Sequence, residues 1–156
     1  MAIEASWMQN RTYSAREDRA LISGLFNEGV LDLTMLVVSE SAPAAMTVDV
    51  STGSFIIDGD DQLSPPQNSY FGASDAVVTT AAFVAPSGNP RIDLVVMQVR
   101  DPDATGPAGD DVIVSVVTGA EAASPVAPAV PDSALALAEI ALAVAQTSII
   151  DANLTD

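Results

Sequence analysis

The sequence contains no cysteine, no histidine and no lysine. Without cysteine there are no disulfides, thiolate nucleophiles or thiolate metal sites. Without histidine the Ser-His-Asp and Cys-His arrangements cannot be assembled. Without lysine, Schiff-base chemistry and lysine-assisted activation of a nucleophile fall away. Aromatic residues make up only 4% of the chain, which leaves few flat platforms for bases or sugars. Positive charge is equally scarce. Five basic residues, all arginine, stand against 21 acidic ones, for a net charge of −16. That balance repels phosphate backbones and anionic lipid, so neither nucleic acid nor a membrane is an expected partner. The start, MAIEASWMQNR, has neither the basic end nor the apolar stretch of a secretory signal. The longest apolar segment, Ala134 to Ile150, is broken by Glu139 and Gln146 and falls short of the ~20 apolar residues that span a bilayer. No phosphate loop is present: Gly106 and Gly109 sit in a polar connector without a Walker lysine.

What is present is aliphatic. Apolar residues form 49% of 156 positions, enough for one domain with a core of Val, Ile, Leu and Ala. Residues 1–12 read as an N-terminal arm carrying the one tryptophan, Trp7, which suits docking on this domain or on a neighbour. Residues 13–29 hold a helix. Ser14 and Glu17 form a capping box, Glu17 and Asp18 complement the helix dipole, and Gly29 is placed to stop it. Leu21, Ile22, Leu25 and Phe26 make an apolar stripe that predicts a sheet or subunit contact. From Val30 onward, short β-branched runs alternate with turn residues, which predicts a single β domain over 30–156. Strands are expected at Leu33–Val38, Met46–Val50, Ser54–Ile57, Ala76–Val84, Ile92–Val99, Val112–Val117 and about Leu135–Val144. Ile92–Val99, nearly continuous in apolar residues, predicts burial on both faces. Asp58 to Pro66 reads as a loop because of its Asp-Gly content and tandem prolines, and Ala120–Pro131 as an extended connector. The fold class is mainly β, a sandwich or jelly-roll-like domain behind one N-terminal α-helix.

Two chemistries survive the exclusions. A pair of facing carboxylates can hydrolyse glycosides, but 21 acidic residues offer chance pairs anywhere, so no catalytic residue is assigned and the chain is read as non-enzymatic. Asp58, Asp60 and Asp61 are weak candidates for a Ca2+ site, which would need 6–8 oxygen ligands. The plainer reading is a solvated turn, and no cofactor is expected. Arg91 and Arg100 bracket the predicted central strand beside Asp93 and Asp101. They suit ion pairs at strand ends or, with the planar arginine fork, bridges to another subunit. The expected partner contacts are therefore Trp7, Leu21, Leu25, Phe26, Arg91 and Arg100.

Several phrases occur in a characteristic order: Tyr13-Ser14-Ala15-Arg16-Glu17-Asp18-Arg19, Ile57-Asp58-Gly59-Asp60, Asn89-Pro90-Arg91-Ile92-Asp93-Leu94-Val95-Val96, Val117-Thr118-Gly119-Ala120 and Ala123-Ser124-Pro125-Val126-Ala127-Pro128. Together, from about Tyr13 to Thr155, they resemble the minor tail and baseplate structural proteins of phages of actinobacteria. The resemblance implies a virion component with a β-rich fold, no catalysis, and assembly with itself into trimers or rings and with other virion proteins. Compared with longer versions, the chain ends just after Asn153-Leu154-Thr155-Asp156, so a fibre or receptor-binding extension is not expected. A tail or baseplate connector is the implied role, with capsid decoration as the alternative and, from another class, a host-glycan-binding module.

Overall fold

The computed structural model describes residues 14–104, 106 and 109–155; Trp7 and the arm lie outside them. The first element is α1, Ala15–Leu25, and its start is set by the capping box. Ser14 Oγ accepts from the Glu17 amide at 3.3 Å, while the Glu17 carboxylate accepts from the Ser14 amide at 2.8 Å. Two of the donors that a helix start leaves unpaired are thereby satisfied. The end differs from expectation. The chain turns extended at Phe26, before Gly29 is reached, and the Phe26 amide closes the last turn on the Ile22 carbonyl. Gly29 opens a strand instead, at φ +146, a conformation that favours glycine.

Ten strands follow among the described residues: β1 Gly29–Val30, β2 Val38–Ala45, β3 Thr47–Val50, β4 Gly53–Leu63, β5 Pro66–Ser74, β6 Val78–Thr79, β7 Arg91–Arg100, β8 Asp111–Val117, β9 Ala134–Leu142 and β10 Leu154–Thr155. They form three antiparallel sheets, none closed into a barrel, in the orders β1-β4-β5, β10-β9-β7-β8 and β2-β3-β6. The mainly β class behind one N-terminal helix is thus the observed one. The sheets share a core. Val48 and Val50 from one sheet, Phe55 and Ile57 from another, and Val95, Met97 and Ile140 from the third meet in a single cluster. Strand β7 is buried on both faces, as its continuous apolar run predicts: Val95 and Met97 join the main cluster, while Leu94 and Val96 pack with Ala134 on the other side.

Three expectations are corrected. The segment Asp58 to Pro66 is not a loop. β4 runs through the acidic stretch to Leu63, and β5 starts at Pro66, leaving a tight tip at Ser64-Pro65. A long hairpin partner overrides the turn preference of Asp and Gly, because each added pair extends an existing ladder. The second concerns Leu33–Val38, which is mostly turn. Asp32 Oδ1 accepts both the amide and the hydroxyl of Thr34, at 2.8 and 2.7 Å, and Leu36 sits at φ 53. Local side-chain bonding outcompetes the ladder there. Finally, Ala76–Val84 contributes only Val78–Thr79 as strand. Beyond it, Thr80 and Phe83 donate singly to the carbonyls of Val48 and Met46.

Candidate functional site

The sequence-designated residues do not converge on one site. Asp58, Asp60 and Asp61 all lie in β4, and the carboxylates of Asp58 and Asp60 are engaged elsewhere. Asp58 Oδ1 accepts from Ser69 Oγ at 2.5 Å across the hairpin. Asp60 Oδ1 accepts from the amide of Ser133, whose hydroxyl in turn accepts from the Asp60 amide at 3.1 Å. These bonds tie β4 to β5 within the hairpin and to Ser133 at the entry of β9. Among the described residues no group of three or more metal-ligating side chains is arranged to hold an ion.

Arg91 and Asp93 form a buried clamp. Arg91 Nε reaches Asp93 Oδ1 at 2.7 Å and Nη2 reaches Oδ2 at 2.9 Å, a bidentate fork. The same Nη2 donates to the Val84 carbonyl, and the Gly119 amide donates to Asp93 Oδ1 at 2.9 Å. Gly119 is fixed by proximity: a Cβ there would lie 2.0 Å from the Ile92 carbonyl oxygen. The side chains of Arg91 and Asp93 are 8% and 1% exposed, so this guanidinium is buried within the chain. The turn just before the clamp is held similarly. The Glu121 carboxylate accepts the amides of Ser87, Gly88 and Asn89 at 3.0, 2.8 and 3.1 Å, which hold it below the usual carboxylate range.

Arg100, at the other end of β7, pairs with Asp111 of β8 rather than with adjacent Asp101. Its Nε and Nη2 lie 2.6 and 2.5 Å from the two carboxylate oxygens, and both residues remain partly exposed. Hydrogen bonding to Asp111 raises the Arg100 pKa, and the same bond lowers that of Asp111. Asp101 is taken by a different group. Tyr70 Oη donates to Asp101 Oδ2 at 2.5 Å and accepts from Gln67 Nε2 at 2.8 Å. Arg19 of α1 stacks over the Tyr70 ring at 4.6 Å, donates to the Gln67 carbonyl at 2.9 Å and lies 3.5 Å from Asp101. Burial, then the bond to Asp101, pushes the Tyr70 pKa up to about 12. Burial works against the charge on Asp101, yet the Tyr70 hydroxyl, the Asp103 amide and Arg19 outweigh it and hold that carboxyl low. This network fastens α1 to β5 and to the end of β7. Sequence reasoning missed it, since Arg19, Gln67, Tyr70 and Asp101 come together only through the fold.

The apolar stripe divides. Leu21 and Ile22 are half-buried, whereas Leu25 and Phe26 are 63% and 50% exposed. Leu31 and Leu33 follow in the chain at 48% and 98% exposed. Four large apolar side chains within nine residues are thus left to water at the helix end and the segment after it. Trp7, the remaining designated contact, lies outside the described residues. No protein-family model, curated protein or solved structure matches the chain.

Proposed function

We propose that the chain is a non-enzymatic structural component of a tailed-phage virion, a tail or baseplate connector that assembles as a symmetric oligomer. The observation that carries this reading is the contrast between polar and apolar side chains. The arginines and aspartates singled out by sequence are engaged in holding this chain together, while Leu25, Phe26, Leu31 and Leu33 stand exposed in one stretch. An apolar surface of that kind suits another subunit better than a substrate. The absence of histidine, cysteine and lysine and the ordered phrases that resemble actinobacterial phage tail proteins support the same reading. Symmetric association is the usual way in which such parts form rings or trimers. Electron microscopy of particles carrying a tagged copy tests it. Density on the tail or baseplate is the expected result; density on the head would favour decoration, and absence from particles would refute the proposal.

A further inference from the structure

A cavity of about 530 Å³ opens at the end of α1, between the helix and the β4–β5 hairpin. Phe26 stands on its wall, half exposed, with Glu28 and Asp58 lining it too. Each of these carboxylates is held through one oxygen. Glu28 Oε2 accepts from the Asp58 amide at 2.9 Å, and Asp58 Oδ1 accepts from Ser69 Oγ at 2.5 Å. Glu28 Oε1 and Asp58 Oδ2 have no hydrogen-bond partner among the described residues. Register extends this face. Asp58 stands opposite Ser69 and Ile56 opposite Phe71, so Phe71 shares a side of the sheet with Asp58. Its ring is 58% exposed. Two of the chain's four phenylalanines are thus left to water on the side that carries two half-used carboxylates. The charge around them has one sign. From Ala20 to Pro90 the sequence has no basic residue, while acidic ones recur throughout. The arginines of α1, Arg16 and Arg19, line a different cavity with Asp101 and Asp103. The last turn of α1 carries no basic side chain, so the negative end of the helix dipole adds to the same potential.

We infer that this face docks a basic protein partner, which seats an arginine or lysine side chain against Phe26 and places its charge on Glu28 and Asp58. Solvated surface acids alone need no partner. Here an aromatic ring beside them offers the contact that a cation and its aliphatic stem both use, and the helix end reinforces the field. Charge selects the occupant. A second copy of a chain with net charge −16 would bring more uncompensated acid to the site, so symmetric contacts fall to another face. A neutral glycan would stack on the rings but gain nothing from the unbalanced carboxylates. The inference rests on the reading of the exposed apolar stretch as an assembly surface, and it supplies the chemistry of the partner.

The probe is a short capped peptide of leucine and arginine, titrated into the purified full-length chain and followed by amide chemical shifts. Shifts are expected to cluster at Phe26, Glu28, Asp58 and Phe71. Citrulline in place of arginine keeps the shape without the charge and should weaken binding by about fivefold, the loss expected of two exposed charge pairs. Glu28→Gln with Asp58→Asn retains the oxygens that accept from the chain and should weaken the arginine peptide by a similar factor, with the thermal midpoint unchanged. Glu139→Gln, at an exposed acid on β9, should leave binding as it is. Shifts scattered over the whole acidic surface, equal binding of the citrulline peptide, or no effect of the double variant would each overturn the inference. Shifts at the same residues from chitohexaose, or from concentrating the chain alone, would overturn it as well. The titration needs no virion, so a chain missing from particles would refute the virion reading and leave this result readable.

Discussion

Strand β7 ends in an arginine on each side, and the two ends behave differently. Arg91 and Asp93 are nearly inaccessible to water and share their bonds with the Val84 carbonyl and the Gly119 amide. Arg100 and Asp111 make an equally short fork, but their side chains remain 28% and 47% exposed. Distance alone would rank the pairs alike. Burial separates them, since removing one partner of a buried pair strands a charge that water cannot reach, whereas water readily replaces the partner of an exposed one.

That comparison can be broken most severely at the clamp. Asp93→Ala leaves the Arg91 guanidinium buried without its carboxylate and should cost about 3–5 kcal/mol, read as a lower urea midpoint. Next comes the network beside the other end. Tyr70→Phe removes the hydroxyl between Gln67 and Asp101, and because that site is partly open to solvent the loss should be about 1 kcal/mol. It should also change the alkaline limb. The Tyr70 pKa is raised to about 12 from 10, so its contribution is complete below pH 10 and is lost as pH climbs through 12. Phenolate absorbance should show a tyrosine titrating near the higher value, and Tyr70→Phe should abolish that step.

Smaller effects are expected at acid pH. The carboxyls of Asp101, Asp111 and Glu121 are lowered in the folded chain, so their contribution is full above the ordinary carboxylate range and is lost as pH falls through their lowered values. Neutralising a net charge of −16 relieves self-repulsion and acts in the opposite direction, so the useful quantity is the difference between the unaltered chain and a variant. Asp111→Asn should give the smallest change of all, a thermal midpoint at neutral pH nearly unmoved. A large drop there would mean that the two ends of β7 are energetically alike.

Legibility in the sequence followed the range of the interactions. α1 was readable because Ser14 and Glu17, three residues apart, settle its start between themselves. β7 was readable because burial on both faces leaves a continuous apolar run, and β9 because alternate residues face the core. β5 was missed: Gln67, Asn68 and Ser69 carry no strand signal, and their ladder exists only because β4 lies opposite. The clamp was half legible. Arg91 and Asp93 are neighbours in the sequence, but the part of Gly119, 26 positions downstream of Asp93, needs the fold. The sequence stretches around Arg91 and around Gly119 meet in this clamp.

The central claim is that polar residues hold this chain together while the exposed apolar stretch serves other subunits. Its most direct test is incorporation of a Phe26→Asp, Leu33→Asp variant into phage particles, measured alongside its thermal midpoint. The account predicts a midpoint close to that of the unaltered protein, because both side chains are at least half exposed, together with loss of the variant from particles. Normal incorporation of a variant that folds normally would contradict it.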